Sequence, residues 1–136
     1  MQSIQVKMLL LLTLLTACSN KPSDDVTKKL ETVTSWAATA QMTGDAWIHG
    51  SVPTAYAKQT LSIAQKELHK ETNTLFTSTN STQRRTLVEH LQRLETTVNQ
   101  MSTAVAQGNH TALAQQLKQL SAEKQTISTL GQSSNE

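Results

Sequence analysis

The stretch TQRRTLVEHLQRLETTVNQMSTAVAQGN, residues 82–109, decides the fold. Its apolar positions are Leu87, Leu91, Leu94, Val98, Met101 and Val105, at alternating spacings of four and three. An α-helix brings residues three and four apart onto one face, so this is a helix with a single buried seam. Gly108 ends it, because glycine adopts the left-handed conformation of a helix C-terminus without penalty, and Asn109 can cap a following helix.

The same spacing recurs on either side. Val26, Leu30, Val33, Ala37, Ala40, Gly44 and Trp47 predict a helix from about Asp24 to His49, with Ser23 as N-cap and Asp24 and Asp25 complementing its dipole. Gly50 stops that helix and Pro53 restarts the chain in or near the first turn of the next. The next helix carries Ala57, Leu61, Ala64 and Leu68, then Glu71 as a polar break in the seam, then Leu75, and ends near Thr79. Asn80 with Gln83 resembles a capping box. A last helix, from about His110 to Leu130, shows Leu113, Leu117 and Leu120, then Lys124 out of pattern, then Ile127. Four amphipathic helices joined by short turns predict an all-α, antiparallel up-down four-helix bundle. Seams this regular also suit two helical hairpins that dimerise. The small residues of the first two helices predict close packing between them. Gly44, costly inside a helix, is expected to make room for Trp47 or Tyr56.

Composition agrees. Aromatics make up 3% of the chain, with 4 Gly and 2 Pro, too few for a β-sandwich with its many turns. Charge is nearly balanced, 12 Lys+Arg against 10 Asp+Glu, which argues against a nucleic-acid binder.

The first residues read as a targeting signal, not as part of the fold. Lys7 is a minimal basic start, and Met8 to Leu15 is an apolar run broken only by Thr13. Eight helical residues span roughly 12 Å, too short to cross a bilayer core of about 30 Å. Leu15-Thr16-Ala17-Cys18 resembles a bacterial lipobox, and Cys18 is the only cysteine in the chain. The resemblance implies cleavage before Cys18, a diacylglyceryl thioether on its sulfur and an acyl group on the new amine. Several acyl chains anchor stably where one does not. Ser19, where a retention signal of such lipoproteins would place Asp, implies the outer membrane, facing the periplasm. The expected division is a signal peptide over 1–17, a lipidated tether over 18–23, the bundle over 24–130 and a disordered polar tail over 131–136. The segments from Ser35 to Ala40 and from Val52 to Lys58 are similar to small helical bacterial lipoproteins of unassigned activity, which implies no functional residue.

Topology gives the rod two ends. The membrane-proximal end gathers Lys21, Lys28, Lys29, Arg84 and Arg85. Arg84 and Arg85 lie in a helix first turn, where their sign opposes the dipole, so lipid headgroups are candidate partners for Lys28, Lys29, Arg84 and Arg85. The bland alternative is a solvated turn. The distal end gathers Trp47, Ile48, Val52 and Tyr56, with His49 and His110 nearby. Trp47, Ile48 and Tyr56 form a candidate protein-binding tip, since Trp and Tyr anchor interfaces. In the bland alternative Trp47 plugs the bundle end and Tyr56 covers it. Trp36 flanks the seam at mid-rod, with core packing as its default role.

No catalytic motif stands out. Di-iron bundles use Glu-x-x-His, but Glu67-Leu68-His69 and Glu89-His90 have other spacings. His69 falls on the outer face and His90 flanks the seam. Met101 and His110 lack any diagnostic haem spacing, and Cys-x-x-Cys-His is absent. The sequence therefore predicts no enzyme, no cofactor and no metal. Its reading is a lipid-anchored envelope bundle acting as a non-catalytic adaptor, accessory subunit or scaffold, with an envelope protein or a second copy as partner. The alternative is a periplasmic bundle that binds a small ligand or metal.

Overall fold

A computed structural model describes residues 22–77 and 82–133. The expected signal peptide, Cys18, the tether up to Lys21, the Asn80 turn and the last three residues of the tail lie outside them. So do the side chains of Ser23, Asp24, Asp25 and Gln83, and with them the predicted Asn80–Gln83 capping box; Ser23 is not the N-cap expected, because the first helix already begins at Pro22.

Four helices make up the described residues: α1 (Pro22–Ile48), α2 (Thr54–Thr77), α3 (Thr82–Ala106) and α4 (His110–Ser133). Each packs on its neighbours in sequence, α4 closes against α1, and α1 meets α3 across the diagonal. Contacts fix the directions. On α1 and α4, Leu30 lies against Gly131, Gly44 against Leu117 and Trp47 against His110, so one helix number rises as the other falls. The chain is an all-α, up-down four-helix bundle.

The predicted seams are the core. On α3, Leu87, Leu91, Leu94, Val98, Met101 and Val105 are all buried. Val33, Ala37, Ala40 and Trp47 are buried on α1, with Val26 and Leu30 half-buried at its start. Val88 and Ala104 widen the α3 face beyond a strict two-position seam, as an interior helix of a globular bundle requires.

Three details differ from the sequence reading. First, Glu71 does not sit in the α2 seam. The buried position there is Thr72, so the seam takes two steps of four in a row, Ala64 to Leu68 to Thr72, before Leu75 resumes the alternation. The Thr72 hydroxyl donates to the Leu68 carbonyl at 2.8 Å, which satisfies it inside the core. Second, Gly44 leaves room for Leu117 and Met101, not for Trp47 or Tyr56. A Cβ there would stand 2.9 Å from Leu117 Cδ2 and 3.0 Å from Met101 Cε. The missing side chain thus serves the packing of α1 on α3 and α4. Third, α1 begins at Pro22, a favoured first helical residue, and α4 runs to Ser133, past the expected end at Leu130. Gly131, placed in the tail by the sequence reading, is helical and lies against Leu30.

Both described turns are built the same way. Gly50 (φ 72°) and Gly108 (φ 67°) take the left-handed conformation. After α1, the Gly50 amide donates to the Trp47 carbonyl and the Ser51 amide to the Ala46 carbonyl; after α3, Gly108 donates to Val105 and Asn109 to Ala104. This is the paired bonding of a Schellman motif. Asn109 also starts α4, its Oδ1 accepting from the Ala112 amide at 3.0 Å. One residue closes α3 and caps α4, which is why that turn is so short. Pro53 precedes α2, and its carbonyl accepts the Ala57 amide.

Threonine, a poor helix former, is accommodated by one repeated device. Thr32, Thr39, Thr43, Thr72, Thr74, Thr96, Thr97, Thr103, Thr126 and Thr129 each donate to the carbonyl four residues back. Thr43, Thr72 and Thr97 can therefore be buried without an orphaned hydroxyl.

Candidate functional site

The helix interfaces carry cross-links as well as apolar contacts. On the α2–α3 interface, His69 Nδ1 meets Glu95 Oε1 at 2.8 Å, and His69 Nε2 lies 3.0 Å from Asn73 Nδ2. On the α3–α4 interface, His90 Nδ1 meets Glu123 Oε2 at 2.8 Å, with both side chains largely buried. On the α1–α4 interface, Lys124 Nζ donates to Gln41 Oε1 at 2.9 Å. Lys124, out of pattern in the sequence, keeps its seam place by reaching to the rim for this bond. These pairs set the register between helices. His90 is half-buried, flanking the seam as the heptad count placed it, whereas His69, though exposed, stands on the flank facing α3 and not on the outer face, because its imidazole reaches Glu95. Among the described residues no group of three His, Cys, Asp or Glu side chains is placed to hold a metal. Met101 is buried beside Gly44, whereas His110 lies on Trp47, so the two do not face a common site.

At the distal end, Trp47 is a structural plug. It is 7% exposed, its Nε1 donates to Thr54 Oγ1 at 3.0 Å, and its ring stacks on His110. Ile48 and Val52 are half-buried against the same core. Tyr56, expected either to anchor a partner with Trp47 or to cover it, is 53% exposed, and the ring stacked on Trp47 is that of His110. Of the tip residues Trp47, Ile48 and Tyr56, only Tyr56 presents most of its surface. Trp36 is half-buried against the core.

The sequence reading did not single out the other large apolar side chains left in solvent, Met42, Ile63 and Phe76. Ile63 follows Tyr56 by seven residues, two helical turns, so both lie on one outer flank of α2. Phe76 follows His69 by seven and so shares the flank of α2 that faces α3. Lys28, Arg84 and Arg85 are exposed and Lys29 is half-buried. All four lie at the end of the bundle where α1 and α3 begin and α2 and α4 finish.

A groove of about 570 Å³ runs between α1 and α4 toward that same end. Its apolar floor is Leu30, Ala38, Ile127 and Gly131, and Thr34 and Ser128 stand on its walls. Small side chains on both helices leave it open. The sequence reading missed it because a groove depends on how two helices splay, which neither seam encodes. Among the described residues, no helix is long and apolar enough to cross a membrane. No family model, curated protein or solved structure matches this chain.

Proposed function

We propose that the chain is a lipid-anchored envelope protein whose bundle acts by contact, as a non-catalytic adaptor, accessory subunit or scaffold. The observation that carries this reading is the contrast between interior and surface. The core is filled by the chain's own side chains, while Tyr56, Ile63 and Met42 remain in water on the outside of α1 and α2. Exposed aromatic and aliphatic side chains on a rigid helix face are the usual anchors of a protein interface. The lipobox-like stretch ending at Cys18 lies four residues before Pro22, so acylation there would tether the bundle by the start of α1. In a two-membrane organism, Ser19 favours the outer membrane, facing the periplasm.

The test has two arms. Metabolic labelling with a palmitate analogue should mark the chain and fail on Cys18→Ser. A photoreactive residue at Tyr56 or Ile63, with Cys18 intact, should capture a discrete partner or a second copy. Absence of any adduct at both positions, in folded and membrane-bound protein, would remove the adaptor reading.

A second reading rests on the α1–α4 groove. Its volume lies within the range of small-ligand sites, and its floor is apolar. Native mass spectrometry of protein from its own membranes would reveal a retained small molecule, and Ala38→Leu, which fills the groove, should expel it.

A further inference from the structure

We infer that two copies of the bundle pair through the outer face of α1, antiparallel about a two-fold axis between Ser35 and Ala38. The pairing rests on the reading of the bundle as acting by contact, and it names a partner for Met42. It does not depend on acylation of Cys18.

The face of α1 opposite its seam carries Lys28, Glu31, Ser35, Ala38, Met42 and Asp45. All are exposed except Ala38, which is half-buried. Their spacing of 3, 4, 3, 4 and 3 residues reads the same from either end. It keeps them on one stripe roughly 26 Å long. A copy laid antiparallel therefore meets the stripe position by position. Lys28 comes onto Asp45, Glu31 onto Met42 and Ser35 onto Ala38, and each pair recurs by symmetry. The parallel arrangement sets Lys28 on Lys28, Glu31 on Glu31 and Asp45 on Asp45, which like-charge repulsion opposes.

Two features of α1 that its own bundle leaves unexplained fit this pair. Asp45 stands in the last turn of α1, where the helix dipole disfavours an anion, and that turn holds no base. The second copy's Lys28 supplies one. Met42 is 72% exposed, and three turns back the α1–α4 groove lies open beside Glu31, over a floor of Leu30, Ile127 and Gly131. The pairing brings the second copy's Met42 to the mouth of that groove, and a methionine side chain is long and adaptable enough to enter it. Knob and hole lie on one face of one helix, as an isologous contact requires.

The middle of the face suits close approach. Ser35 and Ala38 are small, and the distance between packed helices shrinks with the side chains at their contact. No charged residue occurs on α1 from Thr32 to Gly44, and Ser128 and Gln132 form the α4 side of the groove. Glu31 comes one turn from the second copy's Asp45, but Lys28 faces that carboxylate directly. The next position outward, Asp24, comes opposite His49. Where Cys18 is acylated, the two anchors lie at opposite ends of the pair, so both bundles lie along the membrane.

The experiment is done in cells on the full chain, with Cys18 intact. One copy carries a photoreactive residue in place of Met42, and the other carries an affinity tag. The expected product bears the tag, has twice the chain mass and maps by peptide fragmentation between Lys28 and Ser35 of the tagged copy. Lys28→Glu or Asp45→Lys in both copies sets like charges together and should cut the product roughly tenfold, and the two substitutions combined should restore it. Both positions are exposed, and the combination removes an acid from the end of α1, so melting temperatures should not fall. An adduct with a different protein overturns the proposal, as does one that maps elsewhere or ignores the exchange of charge. Absence of any adduct from position 42 overturns it too. Photoreactive residues at Tyr56 and Ile63 report the α2 face independently, and so decide whether the contact reading falls with it.

Discussion

The indole of Trp47 stacks on the imidazole of His110 with ring centroids 4.3 Å apart and planes inclined by 20°. The contact joins the last turn of α1 to the first residue of α4, and the Trp47 bond to Thr54 adds the start of α2. A single side chain thus holds three helix ends. Trp47→Ala should cost about 3–5 kcal/mol, through lost burial and an unfilled bundle end. In a domain of this size that lowers the melting temperature by more than about 10 °C. Trp47→Phe keeps a ring on His110 but loses the bond to Thr54, and should cost less than half as much. Thermal denaturation followed by circular dichroism ranks the two. Equal loss from both would mean that the hydrogen bond, and not the ring, holds the end.

Gly44 stands where α1 meets α3 and α4. Two terms oppose each other in Gly44→Ala. Helix propensity gains about 1 kcal/mol, while Leu117 Cδ2 and Met101 Cε must give way to the new methyl. Both are side-chain tips that can shift, so the net change should stay within about 1 kcal/mol. Gly44→Leu has no such escape and should destabilise by more than about 3 kcal/mol, as overpacking beyond a methylene does at its worst. Urea unfolding of the two variants checks the pair.

The two His–Glu cross-links should differ in strength. His90 and Glu123 are 20% and 14% exposed, whereas His69 is 59% exposed. Water screens the outer pair, and solvent competes for its bond. Double-mutant cycles to Ala should give a coupling of about 1 kcal/mol for His90–Glu123 and no more than roughly 0.5 kcal/mol for His69–Glu95. The reverse order would show that burial does not set their strength.

The fold was legible because each helix announces its buried face by spacing and both described turns announce themselves by glycine. Gly50 and Gly108 stand at the positive-φ positions their turns require, and Asn109 caps as its side chain allows. What the sequence hid lies between helices. Gly44 pointed to a close approach without saying by whom, since a one-dimensional seam does not distinguish neighbour from diagonal. Trp47 could be read as tip or plug because its spacing fits both, and its cover turned out to be His110, sixty-three positions on in the chain. Phe76 went unnoticed because an apolar residue one step beyond Leu75 looks like core, and only the orientation of the α2–α3 interface leaves it in water.

The hidden seam position gives the last prediction. If Glu71 occupied the α2 seam, Glu71→Leu would add a buried side chain and stabilise the bundle, while Thr72 would be a surface residue indifferent to substitution. The structure orders them the other way: Thr72 is 3% exposed and Glu71 lies at the rim. The Thr72 hydroxyl shares a carbonyl that already serves the helix, so its own bond adds little. Thr72→Val keeps the branched shape, exchanges a buried hydroxyl for a methyl and leaves no partner unsatisfied. It should stabilise by about 0.5–1 kcal/mol. Glu71→Leu should change stability by less than about 0.5 kcal/mol, as rim substitutions do. Chemical denaturation of both variants separates the two registers, because each predicts that a different one of them gains.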